Sequence, residues 1–471
     1  MNKKVLIAMS GGVDSSVTAL LIKNQGYECM GATMNLFQNE DLGIPMNKTC
    51  CSIEDINDAR SVANRIGIDY RVFNLQEKFK EKVIEPFIKS YEDGATPNPC
   101  IDCNRYLKFG RLLERAEDLN YDYVATGHYA VIEYNEETGR YNLRKSKDLK
   151  KDQTYVLYNM TQDMLAHTIF PLGSLTKEEV REIAEENGFI NAKKAESMDI
   201  CFVKGTDYAS FIENYTDKKY PEGDFIDMHG NVIGRHKGII RYTIGQRKGL
   251  GVSFGKPMFV YSKNAKDNTV TLASDEELMS HELFANKINL IPFNKLEKPM
   301  KVKARARYNM VEQPAIVEQI EDNLIKVTFD EPQRAFAKGQ AVVLYDGDIV
   351  VGGGVIEAIG SVTAPIWTTA NVKTFNTNLL TIVGNTYVSS LVKGTLGVMF
   401  GGNWGGDNGD SIFGSKGVLS NIVKYGPTGT GSKEISSFNK FLQVVGLGAA
   451  VYQLGTANAK TYVTETKVLK A

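Results

Sequence analysis

Residues 10–16, SGGVDSS, place two glycines, an aspartate and three serines directly after the apolar run Val5–Met9. That run has the length of a buried parallel strand, and the segment Ser15–Lys23 after it has helix-like apolar spacing. A Gly- and Ser-rich turn between a strand and a helix directs backbone N–H groups and the positive end of the helix dipole at one point. The stretch predicts a phosphate site, although an ordinary tight turn would also accommodate a Gly-Gly pair.

Asp14 is an unexpected residue for an anion site, because its carboxylate repels a phosphate. The conflict is removed if a hard cation such as Mg²⁺ binds both the phosphates and oxygen ligands of the protein. The sequence therefore predicts a phosphate group that binds at this turn together with Mg²⁺.

Cysteines are few, six in 471 residues, and two of them form the C-x-x-C pair Cys100 and Cys103. The N-terminus MNKKVLIAMSGG does not resemble an export signal, because its apolar stretch is too short. Catalytic, redox or metal chemistry is therefore expected of these thiols rather than a structural disulfide framework. Cys29 lies within a predicted strand, and we expect it to be a buried apolar residue.

Composition and charge exclude some classes of protein. The apolar content of 42% and the charged content of 24% are typical of globular proteins. No apolar run approaches the length of a membrane span, so no membrane partner is expected. The net charge is −1, and a nucleic-acid partner would need a local basic surface such as the segment GQRKGLG at 245–251.

The order of elements predicts an α/β fold. Strand and helix patterns alternate over residues 1–204, which indicates a doubly wound, mostly parallel, Rossmann-like sheet whose strand ends AMSGG, ATMN and ATGHY converge. Residues 205–280 are basic and Gly-rich and predict a small linking domain. Residues 281–360 alternate as an antiparallel β-barrel does. Residues 361–471 form an unassigned extension rich in Gly, Ser, Thr and Asn.

Seven motifs together resemble one family. SGGVDSS resembles the PP-loop of ATP pyrophosphatases, which cleave ATP between its α and β phosphates and adenylate a substrate. The motifs TPNPCIDCN, ATGHY, KDQTY, MDICFV, YTIGQRKGLG and RARY…GQAVV resemble the bacterial tRNA-specific 2-thiouridylases, in the family's order, from residue 4 to about 359. The resemblance implies a cytoplasmic enzyme that uses ATP to thiolate the wobble uridine of lysine, glutamate and glutamine tRNAs.

Replacement of a uracil oxygen by sulfur explains why two cysteines would be needed. The 2-oxygen is a poor leaving group until AMP is transferred to it, and a persulfide can deliver sulfur if a second thiol cleaves its S–S bond. The resemblance makes Cys103 the nucleophile, Cys201 the persulfide carrier and Asp14 a further catalytic residue. It also implies a persulfide donor, such as a cysteine desulfurase or a sulfur relay protein.

Binding residues also follow from the resemblance. Met34 would meet the adenine, and Gly127 would let the backbone approach the nucleotide closely. The implied ATP contacts are Ala8, Met9, Ser10, Gly11, Gly12, Val13, Asp14, Ser15, Met34 and Gly127. The implied tRNA contacts are Asn98, Pro99 and Cys100 at the target base, and His128, Lys151, Asp152, Gln153, Arg307, Tyr308 and Gln340 elsewhere.

Four alternatives remain open at this point. Another PP-loop adenylating ligase would not need Cys103 and Cys201, and a cysteine-based metal or redox protein would not need SGGVDSS. A Zn²⁺ ion or an iron–sulfur cluster on Cys50, Cys51, Cys100 and Cys103 would occupy the proposed nucleophile. His128 alone could also be a general base or a metal ligand.

Overall fold

The computed structural model describes residues 3–37, 53–195, 200–203, 207–252 and 255–360, and the backbone of strands 453–457 and 460–465. The chain divides into two compact units, Met1–Ile359 and Gly360–Ala471. The strands of the first unit are, in chain order, β1 Lys4–Ala8, β2 Glu28–Asn35, β3 Asp69–Asn74, β4 Tyr123–Ala125, β5 Val131–Asn135, β6 Arg140–Arg144, β7 Thr168–Ile169, β8 Gly223–Ile226, β9 Val232–His236, β10 Phe259–Asn264, β11 Thr269–Ala273, β12 Met279–Leu290, β13 Met300–Arg305, β14 Gln313–Glu321, β15 Leu324–Arg334, β16 Ala341–Asp346 and β17 Ile349–Gly360.

Its helices include two stretches in which α-helix and π-helix alternate. The first joins α3 to α4 through a π-helical segment at Lys80–Ile84, and the second joins α5 to α6 through one at Cys103–Arg111. The α-helices are α1 Val13–Asn24, α2 Ile53–Ile66, α3 Gln76–Phe79, α4 Glu85–Glu92, α5 Pro99–Asp102, α6 Leu112–Asp118, α7 Gln162–Ala166, α8 Lys177–Glu186 and α9 Tyr208–Thr216. No helix in the described ranges is both long and apolar enough to cross a bilayer.

The first sheet confirms the predicted α/β architecture. Its strands run in the order β3-β2-β1-β4-β7 and all pair in parallel. The central strand β1 is apolar because both faces are covered, and Val5, Leu6 and Ile7 are fully buried. The carboxyl ends of β1 and β2 are joined where the Met9 N–H donates to the Ala32 carbonyl at 2.8 Å. The chain therefore stays paired with β2 for one residue beyond the end of β1, next to the predicted phosphate turn.

The remaining sheets follow the predicted change in pattern. A small sheet of order β10-β11-β8-β9 contains one parallel pair, β8 with β11, and otherwise antiparallel pairs. Strands β12 to β17 form an antiparallel barrel that closes through the pairing of β12 with β17. The hairpin β5–β6 of the first sequence region extends this sheet, since Ile349 pairs with Arg144. That attachment joins the barrel to the parallel-sheet region.

The second unit is described only in part. Two antiparallel strands, β18 Gln453–Ala457 and β19 Lys460–Glu465, form a hairpin. The sequence assigns no fold to this extension, and the hairpin is consistent with its Thr-rich composition.

Candidate active site

The SGGVDSS turn lies between β1 and α1, as predicted. Gly12 is the residue before the first helical position, and the hydroxyls of Ser15 and Ser16 donate to its carbonyl at 2.9 and 3.1 Å. The backbone N–H of Ser10 donates to the Ser15 hydroxyl oxygen at 3.2 Å. The first-turn N–H groups of a helix have no acceptor within the helix, so the start of α1 can receive an anion.

Gly11 shows why this turn needs glycine. Its φ is +79°, and a Cβ there would lie 2.3 Å from the Asp55 carbonyl oxygen. The Gly11 carbonyl accepts a hydrogen bond from the Asn191 side-chain amide at 2.9 Å. The Lys194 ammonium lies 3.4 Å from the same oxygen and pairs with Asp55 at 2.7 Å. Contacts from α2 and from the segment after α8 therefore hold the turn in place.

Asp14 has cationic and hydroxyl partners within the protein. Its Oδ1 accepts from the Lys177 ammonium at 2.6 Å and from the Tyr129 hydroxyl at 2.8 Å. The sequence predicted that Mg²⁺ would offset this carboxylate, and the structure adds a protein ammonium that the prediction did not include. One carboxylate with nearby serine hydroxyls suits a Mg²⁺ ion that arrives bound to phosphates, because Mg²⁺ typically takes one or two carboxylates together with phosphate oxygens.

Gly127 brings the end of β4 against the start of α1. A Cβ on Gly127 would lie 3.0 Å from both the Asp14 Cβ and the Ser15 nitrogen. The predicted reason for this glycine was close approach of the backbone to a nucleotide. The structure supplies a second reason, which is close approach to the phosphate turn itself.

The two predicted catalytic cysteines pack in one core cluster, which Met34 also contacts. Cys103 is buried at the point where α5 becomes π-helical, and Cys201 is half-buried. Phe202, directly after Cys201, is fully buried with its ring edge-on to Phe79 at 5.6 Å and to Phe87 at 5.2 Å. This aromatic anchor holds Cys201 against α3 and α4, in the same core cluster as Cys103, although the two cysteines are 98 residues apart in the sequence.

The predicted target-base loop is held by the barrel. Asn98 caps α5, since its side chain accepts from the Cys100 N–H at 3.1 Å, and Pro99 occupies the first turn. The Gln340 amide donates to the Thr96 carbonyl at 2.8 Å, and the Thr96 N–H donates to the Lys338 carbonyl at 2.8 Å. Gln340, predicted as a tRNA contact, thus positions the loop that carries Asn98 and Cys100.

A buried lysine ties the same loop to the small middle sheet. The Lys263 ammonium donates to the Tyr242 carbonyl at 2.8 Å and lies 3.3 Å from the Ala95 carbonyl oxygen. Burial lowers the pKa of Lys263 to about 7. The loop is therefore anchored at Ala95 and Thr96, directly before the residues predicted to meet the target base.

The KDQ motif is mostly engaged within the protein. The Asp152 carboxylate accepts from the Thr154 hydroxyl at 2.6 Å and from the Ser146 N–H at 3.2 Å, and burial raises its pKa. The Gln153 side-chain oxygen accepts from the Tyr129 N–H at 2.9 Å. Gln153 thus holds the backbone of Tyr129, whose hydroxyl contacts Asp14, and Asp152 holds its own loop. Lys151, the cation of the motif, is half-buried.

His128 is buried, and both of its ring nitrogens have protein partners. Its Nε2 lies 3.3 Å from the Lys108 ammonium, and its Nδ1 lies 2.7 Å from the Thr126 hydroxyl oxygen. Burial, together with the Lys108 charge, holds the pKa of His128 well below its usual range. Because an ammonium can only donate, Nε2 is the acceptor and Nδ1 carries the proton. The geometry favours a fixed neutral imidazole over the general base considered from the sequence.

Arg307 and Tyr308 follow the barrel strand β13. The Arg307 guanidinium donates to the carbonyls of Ile244, at 3.0 Å, and Ala335. The Tyr308 ring is exposed and lies edge-on to Tyr155 at 5.7 Å. Arg305, which the sequence reasoning missed, lies over both tyrosine rings at 5.6 and 5.9 Å. Only its position in the RARY motif could have singled it out.

Other residues beside the predicted site also escaped the sequence reasoning. Lys177, Asn191 and Lys194 support the phosphate turn, and no motif places them there; Tyr129 ends the ATGHY motif, but the sequence reasoning gave it no role. Asp102 directly precedes Cys103. Burial raises the pKa of the Asp102 carboxyl to about 6, and the positive charges of Lys287 and Arg105 reduce this shift.

The metal alternative predicted from the sequence involves Cys50, Cys51, Cys100 and Cys103. Cys50 and Cys51 lie outside the described residues. Within the ranges that are described, no three His, Cys, Asp or Glu side chains are grouped as a metal site would need.

Comparisons with known proteins cover the first unit. Family models described as the tRNA methyl transferase HUP domain, the tRNA methyl transferase PRC-barrel domain and the aminomethyltransferase beta-barrel domain match residues 3–205, 209–274 and 280–356. The tRNA-specific 2-thiouridylase MnmA of Clostridioides difficile is 53% identical over 357 residues, which is 76% of this chain and 99% of that protein. The MnmA of Acetivibrio thermocellus is 51% identical over 356 residues, 75% of this chain and 99% of that protein.

A solved structure gives a much weaker likeness. A 4-thiouridine synthetase in complex with RNA and ATP aligns at 16% identity with a TM-score of 0.28, over 46% of this chain and 50% of that one. That likeness is too distant to bear on function.

Proposed function

This chain belongs to the tRNA-specific 2-thiouridylase family and is a tRNA sulfurtransferase, and from that premise we propose that it thiolates the wobble uridine of lysine, glutamate and glutamine tRNAs at position 2. The observation that carries the proposed mechanism is the shared core cluster of Cys103 and Cys201 with Met34 packed against it. Sulfur transfer needs two thiols that can meet, whereas another PP-loop ligase would not. A methyl transfer, which the family-model descriptions name, gives these cysteines no role.

The first step uses the phosphate turn. ATP binds with its phosphates at the start of α1, and the uracil 2-oxygen attacks the α-phosphorus, so that pyrophosphate leaves and the N3 proton is lost. A Mg²⁺ ion bound to the phosphates and to Asp14 would offset their charge. Ser10, Ser15 and the glycine backbone orient the phosphates. The base itself is unstacked and placed beside Asn98, Pro99 and Cys100.

The second step uses the cysteines. The outer sulfur of a Cys201 persulfide attacks C2, and AMP leaves. The Cys103 thiolate then attacks the Cys201 sulfur, and the S–S electrons stay on the sulfur bonded to C2. The base regains its N3 proton as 2-thiouridine, and the Cys103–Cys201 disulfide is returned to thiols by a thiol reductant. A protein persulfide donor reloads Cys201.

The experiment is a reconstituted reaction. The full chain, ATP, Mg²⁺, a protein persulfide donor and each unmodified tRNA are combined, and nucleosides are measured by mass spectrometry. We expect one AMP and one pyrophosphate per 2-thiouridine in lysine, glutamate and glutamine tRNAs. Methylated uridine, or thiolation without ATP, would contradict the proposal.

We expect Arg307→Ala to weaken tRNA binding without changing its salt dependence. The sequence predicted a tRNA contact at Arg307, and the loss of a contact to phosphate would reduce the slope of log K against log salt by about 1. The guanidinium instead bridges two backbone carbonyls, at Ile244 and Ala335, and so braces the basic segment 245–251. Filter binding at several salt concentrations measures both quantities, with Arg307→Lys as the charge-conserving control. A reduced slope in Arg307→Ala that Arg307→Lys restores would show a phosphate contact instead.

Truncation after Gly360 should leave thiolation unchanged within about two-fold. The barrel closes with β17, which ends at Gly360, and the curated relatives align over 98–100% of their own length without the extension. The measurement compares thiolation rate and thermal unfolding of the truncated and full chains. Insolubility or loss of activity on truncation would show that residues 361–471 belong to the working enzyme.

A further inference from the structure

We propose that Lys177 is a positioning residue of the phosphate turn, which neutralises Asp14 and fixes one of its oxygens so that a polyphosphate can bind at the start of α1. The inference rests on the proposed ATP-dependent function. It assigns a role to a residue that lies in none of the motifs and is 163 positions from Asp14.

The ion pair between Lys177 and Asp14 is held by burial of the lysine and by a second hydrogen bond to the carboxylate. The Lys177 side chain is only 6% exposed, and its ammonium lies 2.6 Å from Asp14 Oδ1. The Tyr129 hydroxyl donates to the same oxygen at 2.8 Å. A buried ammonium is costly unless a carboxylate compensates it, so the two charges depend on each other.

The backbone at Lys177 is fixed independently of this ion pair. Lys177 is the first residue of α8, whose N-terminus is closed by a capping box between Thr176 and Glu179. The Lys177 N–H also donates to the Asp148 carboxylate at 3.1 Å. The side chain therefore extends from a fixed backbone position at the start of α8 to Asp14 at the start of α1.

Charge explains why such a residue is needed. Asp14 stands in the first turn of α1, where its negative charge repels a phosphate that binds there. The Lys177 ammonium, 2.6 Å from Asp14 Oδ1, offsets that charge before the nucleotide arrives. The Lys177 ammonium and the Tyr129 hydroxyl both donate to Oδ1, and we assign Oδ2 to a phosphate-bound cation.

The test is a double-mutant cycle read by ATP binding, without turnover. ATP affinity of the full chain is measured by calorimetry, with and without Mg²⁺, for wild type, Lys177→Met, Asp14→Asn and the double variant. We expect Lys177→Met to weaken ATP binding by about 30-fold, which at about 1.4 kcal/mol per decade is about 2 kcal/mol. Asp14→Asn/Lys177→Met should bind within about five-fold of Asp14→Asn, because no charge is left to neutralise.

Lys147→Met is the matched control. Lys147 pairs with Glu179 of the same helix at 2.8 Å, but both side chains are largely exposed, and we expect ATP affinity to stay unchanged. If Lys177→Met fails to fold, as judged by thermal unfolding, the comparison of Asp14→Asn with the double variant still decides. Equal affinity of Lys177→Met and wild type, or a double variant ten-fold weaker than Asp14→Asn, would overturn the proposal. Absence of ATP binding by the wild-type chain would instead overturn the proposed function.

Discussion

A Cys201→Ser variant is expected to form 2-thiouridine at least about a thousand-fold more slowly than wild type, while its ATP affinity stays unchanged. A serine cannot carry a persulfide, so the sulfur-transfer step has no donor. We expect the phosphate turn to keep its structure, because Phe202, which packs edge-on to Phe79 and Phe87, still anchors the Cys201 segment in the aromatic cluster. The measurements are mass spectrometry of the tRNA nucleosides and calorimetry with ATP.

Cys103→Ser should also lose turnover, but at a different stage. If Cys103 cleaves the S–S bond after Cys201 has attacked C2, the variant still releases about one AMP per enzyme and accumulates a tRNA bound to Cys201 through two sulfur atoms. Rapid quench and gel analysis under non-reducing conditions would detect that adduct. Cys201→Ser should give no such adduct, so the two variants together report the order of the steps.

Cys29→Ser is the control for cysteine substitution in general. Cys29 is half-buried on β2, and burial raises the pKa of its thiol to about 11, so it is a poor nucleophile. We expect near wild-type thiolation from this variant. Full activity in Cys201→Ser with a protein persulfide donor would contradict the assignment of Cys201, and most of the wild-type rate in Cys103→Ser would contradict the two-thiol mechanism.

Local sequence patterns predicted much of the fold. The alternation of strand and helix patterns predicted the parallel sheet, and the segments PAIVEQI and LIKVTFD became β14 and β15. Pairing between distant segments was not available from these patterns. The parallel pairing of β8 with β11 and the extension of the barrel by β5–β6 depend on tertiary packing, which no local periodicity encodes.

The residues of the candidate site also fall into two groups: those that local sequence patterns predict and those that only the fold brings to the site. Residues within a motif, such as Ser10 and Gly11, could be predicted because a strand, a turn and a helix follow one another along the chain. Lys177, Asn191 and Lys194 reach the phosphate turn from more than 160 residues away. A lone lysine or asparagine on a helix or loop has the same sequence appearance whether it faces solvent or holds a turn. Only the fold distinguishes these cases.

The second large effect is expected from Gly11→Ala, which should weaken ATP binding by at least about 100-fold. Alanine at φ +79° is strained, and its Cβ would lie 2.3 Å from the Asp55 carbonyl oxygen, so the turn or α2 must move. Movement of the turn also breaks the bond from Asn191 to the Gly11 carbonyl. Calorimetry with ATP and thermal unfolding measure the two consequences separately.

Gly26→Ala separates backbone strain from loss of the site. Gly26 follows the other end of α1 with φ +85°, but a Cβ there meets no atom within 4 Å. Gly26→Ala should lower the free energy of unfolding by about 1–2 kcal/mol through strain alone and leave ATP affinity unchanged.

Gly12→Ala has space as well, since its Cβ would lie 3.6 Å from the Ser10 hydroxyl oxygen. The first glycine of the pair therefore holds the turn's shape, and the second is required only if a phosphate approaches its Cα. Wild-type ATP affinity in Gly11→Ala would mean that the phosphates bind elsewhere.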